Sequence, residues 1–351
     1  MPKKDVEHTR YLSHPDRRRF LRTAGFGVAG LALGGSALSG CADSAQAGAY
    51  PQRPIQMIVA YEPGGGTDVG ARILQPVLER ALGGEIQIVN RPGGGGWAGW
   101  NDLARAEPDG YTLGFINTPN FMTGYLDPRL GRTDIDAGSF TLIANQVTDY
   151  GAIAISPDDQ RFTDVRGLLE YAARERLIVT STGVGSDDHF SALSLADRFG
   201  LRFDVLHNEG AADSVTDLLG GNVDAVFANV GELTAQHQDG GVKVVAVMKA
   251  DEERSPYLPD VPTLAEAGYP DVESWSSRGI AGPAGLPAGV VERLVAACRT
   301  AIEDPAHVER LATQGLQVDY QAPDAYAEMI ERDDRTARRL GERYIWGAQG
   351  G

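Results

Sequence analysis

Two glycine-rich stretches of this chain hold residue types from which an anion site can be built. Residues 63 to 68 read P-G-G-G-T-D (Pro63, Gly64, Gly65, Gly66, Thr67, Asp68), just behind an apolar run that ends in Tyr61. Residues 181 to 189 read S-T-G-V-G-S-D-D-H, with Ser181, Thr182, Gly183, Gly185, Ser186 and His189 as candidate contacts. A loop without Cβ atoms lets a ligand approach backbone N–H groups. A helix that follows aims its own unpaired N–H groups and positive dipole end at the same point. Such a cradle takes a carboxylate with neutral donors alone. One glycine more often only permits a tight turn; three adjacent ones, matched by a second pair, favour ligand contact.

Competing chemistries fail on individual residues. Pro63 to Asp68 lacks the Gly-Lys-Ser/Thr ending of a P-loop, so nothing reaches a γ-phosphate. Gly183-x-Gly185 lacks the third glycine of a dinucleotide fingerprint, because position 188 is Asp. Ser186 and His189 stand three apart on one helix start, a poor geometry for a triad, and no G-x-S-x-G elbow occurs in the chain. They read instead as a capping serine and a helix-start histidine. Asp187, Asp188 and His189 are adjacent and point in different directions, so neither a metal nor a cofactor is expected.

Further candidates surround the two loops. Trp97 and Trp100 flank a second glycine run, N-R-P-G-G-G-G-W-A-G-W; Trp97 either walls an apolar ligand or packs its loop onto its own helix. Asn208, Glu209, Asn229 and Glu232 fall at strand ends or loops, where polar groups select a ligand's far end, although Glu232 reads more readily as solvent-exposed. Cys298 sits on the apolar face of V-V-E-R-L-V-A-A-C-R and reads as a buried small hydrophobe, not a reactive thiol.

The elements that must position these residues alternate short apolar strands with amphipathic helices, the grammar of an α/β sheet with crossovers. Residues 55 to 61 read as a buried strand. Thr67 or Asp68 then caps a helix with Val69, Ile73, Leu74, Val77, Leu78 and Leu82 on one face, stopped by Gly83. Residues 177 to 180 form the strand before the second loop, and Gly200 ends the helix behind it. Residues 140 to 145 and 151 to 156 read as two strands around a polar break. The run W-S-S-R-G-I-A-G-P-A-G-L-P from Trp275 reads as extended and irregular.

The N-terminus belongs to targeting. D-R-R-R-F-L-R precedes an uncharged run that ends in L-S-G-C, which looks like a twin-arginine signal followed by a lipobox with Cys41 as the lipidated residue. Residues 1–40 would be removed and 41–49 would form a tether. The chain has 351 residues, 2 cysteines and a net charge of −16. Removing the first 40 residues takes away a net +4, seven basic against three acidic groups, and leaves 311 residues near −20. That size predicts two lobes. That charge excludes nucleic acid as a partner and repels an anionic ligand at long range, and no disulfide is available once Cys41 is lipidated.

Several segments together resemble one family. They are Y-P-Q-R-P-I-Q-M-I-V-A-Y-E-P-G-G-G-T-D, V-N-R-P-G-G-G-G, P-D-G-Y-T-L, S-T-G-V-G-S-D-D-H, D-L-L-G-G-N-V-D, L-P-D-V-P-T-L-A-E-A-G and G-P-A-G-L-P-A-G-V-V. In this order they are similar to the Bug, or tripartite tricarboxylate transporter, substrate-binding receptors. The resemblance implies a two-lobed periplasmic binding protein of type II, a Venus-flytrap hinged on two crossing strands. Residues 50–148 plus 273–351 would form one lobe and 149–272 the other. It further implies a monomer that is not an enzyme, holds a small carboxylate between Pro63–Asp68 and Ser181–Ser186, and delivers it to integral-membrane transporter subunits. His189 matches the family's histidine. Where the family commonly has Val-Pro-Tyr-Lys-Gly this chain has L-H-N-E-G, so Asn208 and Glu209 replace an aromatic and a cation. That departure makes an amino-acid-like zwitterion, a monocarboxylate or a hydroxylated ligand easier to accept than a tricarboxylate. A sensor of the same fold and, further off, an extracytoplasmic hydrolase are the alternatives.

Overall fold

A computed structural model describes residues 50–347 except Thr133 and Glu209; the export segment, Cys41 and Glu209 lie outside the described residues. In chain order the elements open with β1 (Ile55–Val59), α1 (Gly66–Leu82), β2 (Ile86–Asn90), α2 (Trp97–Ala104), β3 (Thr112–Thr118) and α3 (Asn120–Leu126). The middle holds β4 (Phe140–Ile155), α4 (Val165–Ala172), β5 (Leu177–Ser181), α5 (Asp187–Phe199), β6 (Phe203–His207), α6 (Ala211–Leu219), β7 (Val226–Asn229), α7 (Val230–Gln238) and β8 (Lys243–Val247). The chain then returns through β9 (Trp275–Pro283), α8 (Ala288–Ile302), α9 (Pro305–Ala312), β10 (Val318–Gln321) and α10 (Pro323–Leu340).

The main sheet runs β10-β4-β9-β3-β1-β2, with β7 and β8 also on β4, and β5 pairs β6 beside it. Parallel β1–β2 and β1–β3 pairing places α1 as a crossover helix, and its buried Ile73, Leu74, Val77, Leu78 and Leu82 cover the sheet. Each such side chain contributes roughly 1.5–3 kcal/mol when fully buried. Cys298 joins that core from α8 as a buried free thiol, and burial pushes it up to about 12, which leaves it inert.

Two local expectations are corrected. The polar break near residue 148 does not interrupt the strand: β4 runs unbroken for 16 residues. Its polar side chains stay buried because partners receive them. Asn145 Nδ2 donates to Thr148 Oγ1 at 2.9 Å and to the Asp319 carbonyl at 3.0 Å. Thr148 Oγ1 donates to Asp319 Oδ2 at 2.7 Å. The supposedly irregular run from Trp275 is β9, paired antiparallel with β3 on one side and β4 on the other. Its glycines serve close packing. A Cβ on Gly279 would lie 2.2 Å from Tyr326 of α10, so only glycine lets that ring lie on the strand.

β4 also joins the two halves of the molecule. From Phe140 to Tyr150 it pairs with β9, and from Gly151 to Ile155 it pairs with β7 and β8. Separate apolar cores lie on either side: Met57, Leu74, Phe115 and Leu294 are in one, and Ile153, Leu168, Val179 and Phe227 in another. Among the described residues no helix is long and apolar enough to cross a membrane.

Candidate functional site

The first glycine loop is braced from inside. Gly64 adopts φ +89°, and its N–H donates to Asp68 Oδ2 at 2.9 Å, where Arg72 Nε also donates at 2.9 Å. Asn90 Nδ2 donates to Asp68 Oδ1 at 2.9 Å. Burial works against the Asp68 charge, but these donors outweigh it and hold the carboxyl below its usual range. Asp68 therefore shapes the loop. No side chain caps α1: Gly65 stands at the N-cap, not Thr67 or Asp68. Thr67 Oγ1 instead accepts from Asn117 Nδ2 at 2.8 Å, which ties the helix start to β3.

The second loop needs its glycines for space. Gly185 has φ +77°, and a Cβ there would lie 2.4 Å from Thr123 Cγ2. Thr123 Oγ1 donates to the Gly185 carbonyl at 2.7 Å, so α3 touches the loop directly. Ser186 Oγ caps α5 by accepting from His189 N at 3.2 Å, and His189 Nδ1 accepts from Gly185 N at 3.0 Å. With Nδ1 acting as acceptor, the neutral ring carries its proton on Nε2. Burial, with His207 beside it at 4.6 Å between ring centroids, lowers the His189 pKa to about 4. Neither group activates the other, so the serine and histidine are architecture and not a nucleophile with its base. Thr182 Oγ1 donates to Asp188 Oδ2 at 2.6 Å, and Ser181 Oγ meets His207 Nδ1 at 2.7 Å.

Beside the first loop lies a residue that no local sequence pattern marks as part of a site. Arg278 on β9 stands opposite Asn117 of β3, so both share one face. Its Nη2 lies 3.3 Å from where a Gly66 Cβ would be. A side chain on Gly66 would press on the guanidinium, and the glycine keeps that approach open. Arg278 Nη1 is buried without a hydrogen-bond partner. Only its isolation sets it apart in the sequence: Arg278 is the lone charge between Glu273 and Glu292.

Acids crowd around this cation. Asp149 Oδ2 lies 4.0 Å from Arg278 Nη2, too far for a hydrogen bond, and has no partner of its own. Asp149 Oδ1 accepts from Gly231 N at 3.1 Å. Burial pushes the Asp149 carboxyl up to about 7 against the opposing pull of Arg278. Asp187 is raised by burial too, although Asn229 Nδ2 donates to its Oδ2 at 2.9 Å. Asp188 is raised well above its usual range by burial and by Asp187. Glu232 exposes much of its surface, yet the protein around its carboxyl buries that group enough to raise it. Its Oε2 accepts from Asn229 N at 3.0 Å as the far half of a capping box on α7. Tyr61 completes the group: burial raises its hydroxyl, with Arg278 and Asp187 both near enough to act on it.

The structure thus brings Tyr61, Gly66 and Asn229 together with Arg278, Asp149, Asp187 and Glu232. Other candidates have partners elsewhere. Trp97 stacks near Phe121 at 6.2 Å between centroids, lies under Arg132 and packs on Gly124, while Trp100 is fully buried. Asn208 Nδ2 donates to Asp217 Oδ2 of α6 at 3.0 Å. A groove of about 290 Å³ between α5, the start of β9 and α10 shares Asp187 with the cleft. Most of its charges are already paired, as in Asp197 with Arg339 and Arg332 with Glu273; the Arg278 site differs in setting unsatisfied charged groups beside a glycine loop. Among the described residues no three His, Cys, Asp or Glu side chains are grouped to hold a metal ion.

Comparison with known proteins agrees with this architecture. The model for the tripartite tricarboxylate transporter family receptor matches residues 70–343. The UPF0065 protein in the tcbD-tcbE intergenic region of Pseudomonas sp. (strain P51) is 33% identical over 335 residues, covering 94% of this chain and 95% of that protein. A TctC solute-binding protein from Polaromonas, solved without ligand, is 31% identical with a TM-score of 0.75, covering 84% of this chain and 99% of that one. MatC from Rhodopseudomonas palustris, solved with bound malate, is 26% identical with a TM-score of 0.67, covering 83% of this chain and 99% of that one. These likenesses are to solute-binding proteins with a two-domain α/β fold, not to enzymes.

Proposed function

Since this chain belongs to the tripartite tricarboxylate transporter family of receptors, we propose that it captures a small organic carboxylate outside the cytoplasm and delivers it to an integral-membrane transporter. The observation that carries this reading is Arg278: a largely buried guanidinium with an unpaired N–H, laid against the bare backbone of Gly66 and near enough to Asp187, just behind the second loop, to act on its charge. A carboxylate is the ligand that completes it. Residues 50–148 with 273–351 would move against 149–272, the monomer closing when contacts from both sides stabilise the closed form. Twin-arginine export and a lipid on Cys41 would keep the receptor on the outer face of the membrane. The malate in MatC supports the ligand class.

A thermal-shift screen of carboxylates, amino acids and neutral sugars tests the proposal. Binding to the native state alone stabilises by about 2.7 kcal/mol at a hundredfold excess over Kd, so at least one carboxylate-bearing compound raises Tm by several degrees. If only sugars do so, the carboxylate reading is wrong. Cys41→Ser is expected to move the protein from membrane to soluble fractions.

A further inference from the structure

The unsatisfied groups of the cleft are of two kinds, and this fixes more than a carboxylate. Arg278 Nη1 is a donor without an acceptor, whereas Asp149 Oδ2 is an acceptor without a donor, on a side chain only 2% exposed. The two side chains form a long ion pair at 4.0 Å with no hydrogen bond between them, and each keeps one buried polar atom without a partner. Asp187 and Glu232 stand within electrostatic reach of both. A second carboxylate brought to this side would meet the Asp149 carboxyl, and a neutral apolar end would leave Asp149 Oδ2 unpaired at the cost of its desolvation. The start of α5 is also already furnished with an acid, since Asp187 follows the second glycine loop and takes the Asn229 amide. That leaves little call for an anionic group there.

We infer that the ligand is bipolar: a carboxylate bound by Arg278 beside Gly66, and a cationic ammonium group bound by Asp149 Oδ2, with the acids Asp187 and Glu232 nearby. The inference rests on the carboxylate-receptor reading and narrows it to zwitterions of the amino-acid type. Neutral hydroxyls satisfy Asp149 without answering the surrounding charge, and a plain diacid answers neither.

The test compares matched acids that differ by one α-ammonium group: propionate with alanine, succinate with aspartate, and 3-phenylpropionate with phenylalanine. Binding to the exported chain is measured by calorimetry at pH 7.5. In whichever pair fits the cleft, the amino member is expected to bind at least tenfold more tightly. Asp149→Asn removes that preference; should this variant not fold, Glu232→Gln, which keeps the cap on α7, is expected to reduce it severalfold. A plain acid that binds as well as its amino counterpart in every binding pair overturns the bipolar assignment while leaving carboxylate capture standing. Binding by no member of any pair, with sugars binding instead, overturns both.

Discussion

At the residue scale, Gly185 shows how a loop position can be fixed by two constraints at once. Its φ of +77° disfavours any side chain, and Thr123 fills the space where a Cβ would go. Gly185→Val is therefore expected to destabilise the fold by about 1–3 kcal/mol, read as a lowered urea midpoint. Thr123→Val separates the two effects, since it removes the hydroxyl bond to the Gly185 carbonyl and keeps the bulk; a loss of about 1 kcal/mol is its expected share. Equal losses in both variants would mean that the backbone conformation carries no strain. The same scale explains what the sequence hides about the site. Ser186 is readable as a cap because serine before an acidic first turn has a local reason to be there. Arg278 has none, because its partners come from β1's loop and β4, far away in the chain. Asp149 is hidden likewise, by lying inside what looks like a polar interruption.

At the scale of elements, the strand, glycine loop and helix units around residues 66 and 186 are legible because each carries its own punctuation: an apolar strand, glycines, and a C-terminal Gly83 or Gly200 in the left-handed region. β9 is not, since serine and glycine make a strand only when neighbours press close on both sides. α5 has a further attachment that no local pattern reveals. Asp197 accepts from Tyr344 Oη at 2.6 Å and from Arg339 Nη1 at 2.9 Å, with Arg343 at 2.6 Å. These contacts fasten the helix behind the second loop to the end of α10 and the turn that follows it. Such an exposed network is worth about 1 kcal/mol. Asp197→Ala is expected to speed amide exchange at residues 339–345 by about fivefold without changing the affinity set by Arg278. Unchanged exchange would show that apolar packing of Leu340 and Trp346 suffices.

At the scale of the whole molecule, buried acids govern how stability responds to pH. Burial raises Asp149 and Asp333 from 3.8 to about 7. For each, stability is fully present below the unfolded value and is lost as pH rises through 7. His189 acts in the other direction. Its value falls from 6.5 to about 4, so its contribution is present above 6.5 and lost as pH falls through 4. The two raised acids outweigh His189; His207 and His307 shift in the histidine's sense, and Asp187, Asp188 and Glu232 in the acids'. The ligand-free protein is expected to gain on the order of 2–3 kcal/mol between pH 7 and pH 5, seen as a higher urea midpoint at pH 5. A flat or reversed profile would mean that the acids remain ionised with partners that rearrange.

The continuous β4 ladder also limits the kind of motion the molecule can make. Its pairing passes from β9 to β7 and β8 between Tyr150 and Gly151 with no unpaired linker between them. The only other covalent link between the two sets of strands is the return into β9 at Trp275, which pairs with Tyr150 itself. Two bonded strands side by side resist stretching and sideways shear far more than twisting. If the two parts move as proposed, their soft coordinate is a torsion about the strand direction, as in a twisted spring, rather than two bodies drifting apart on a tether.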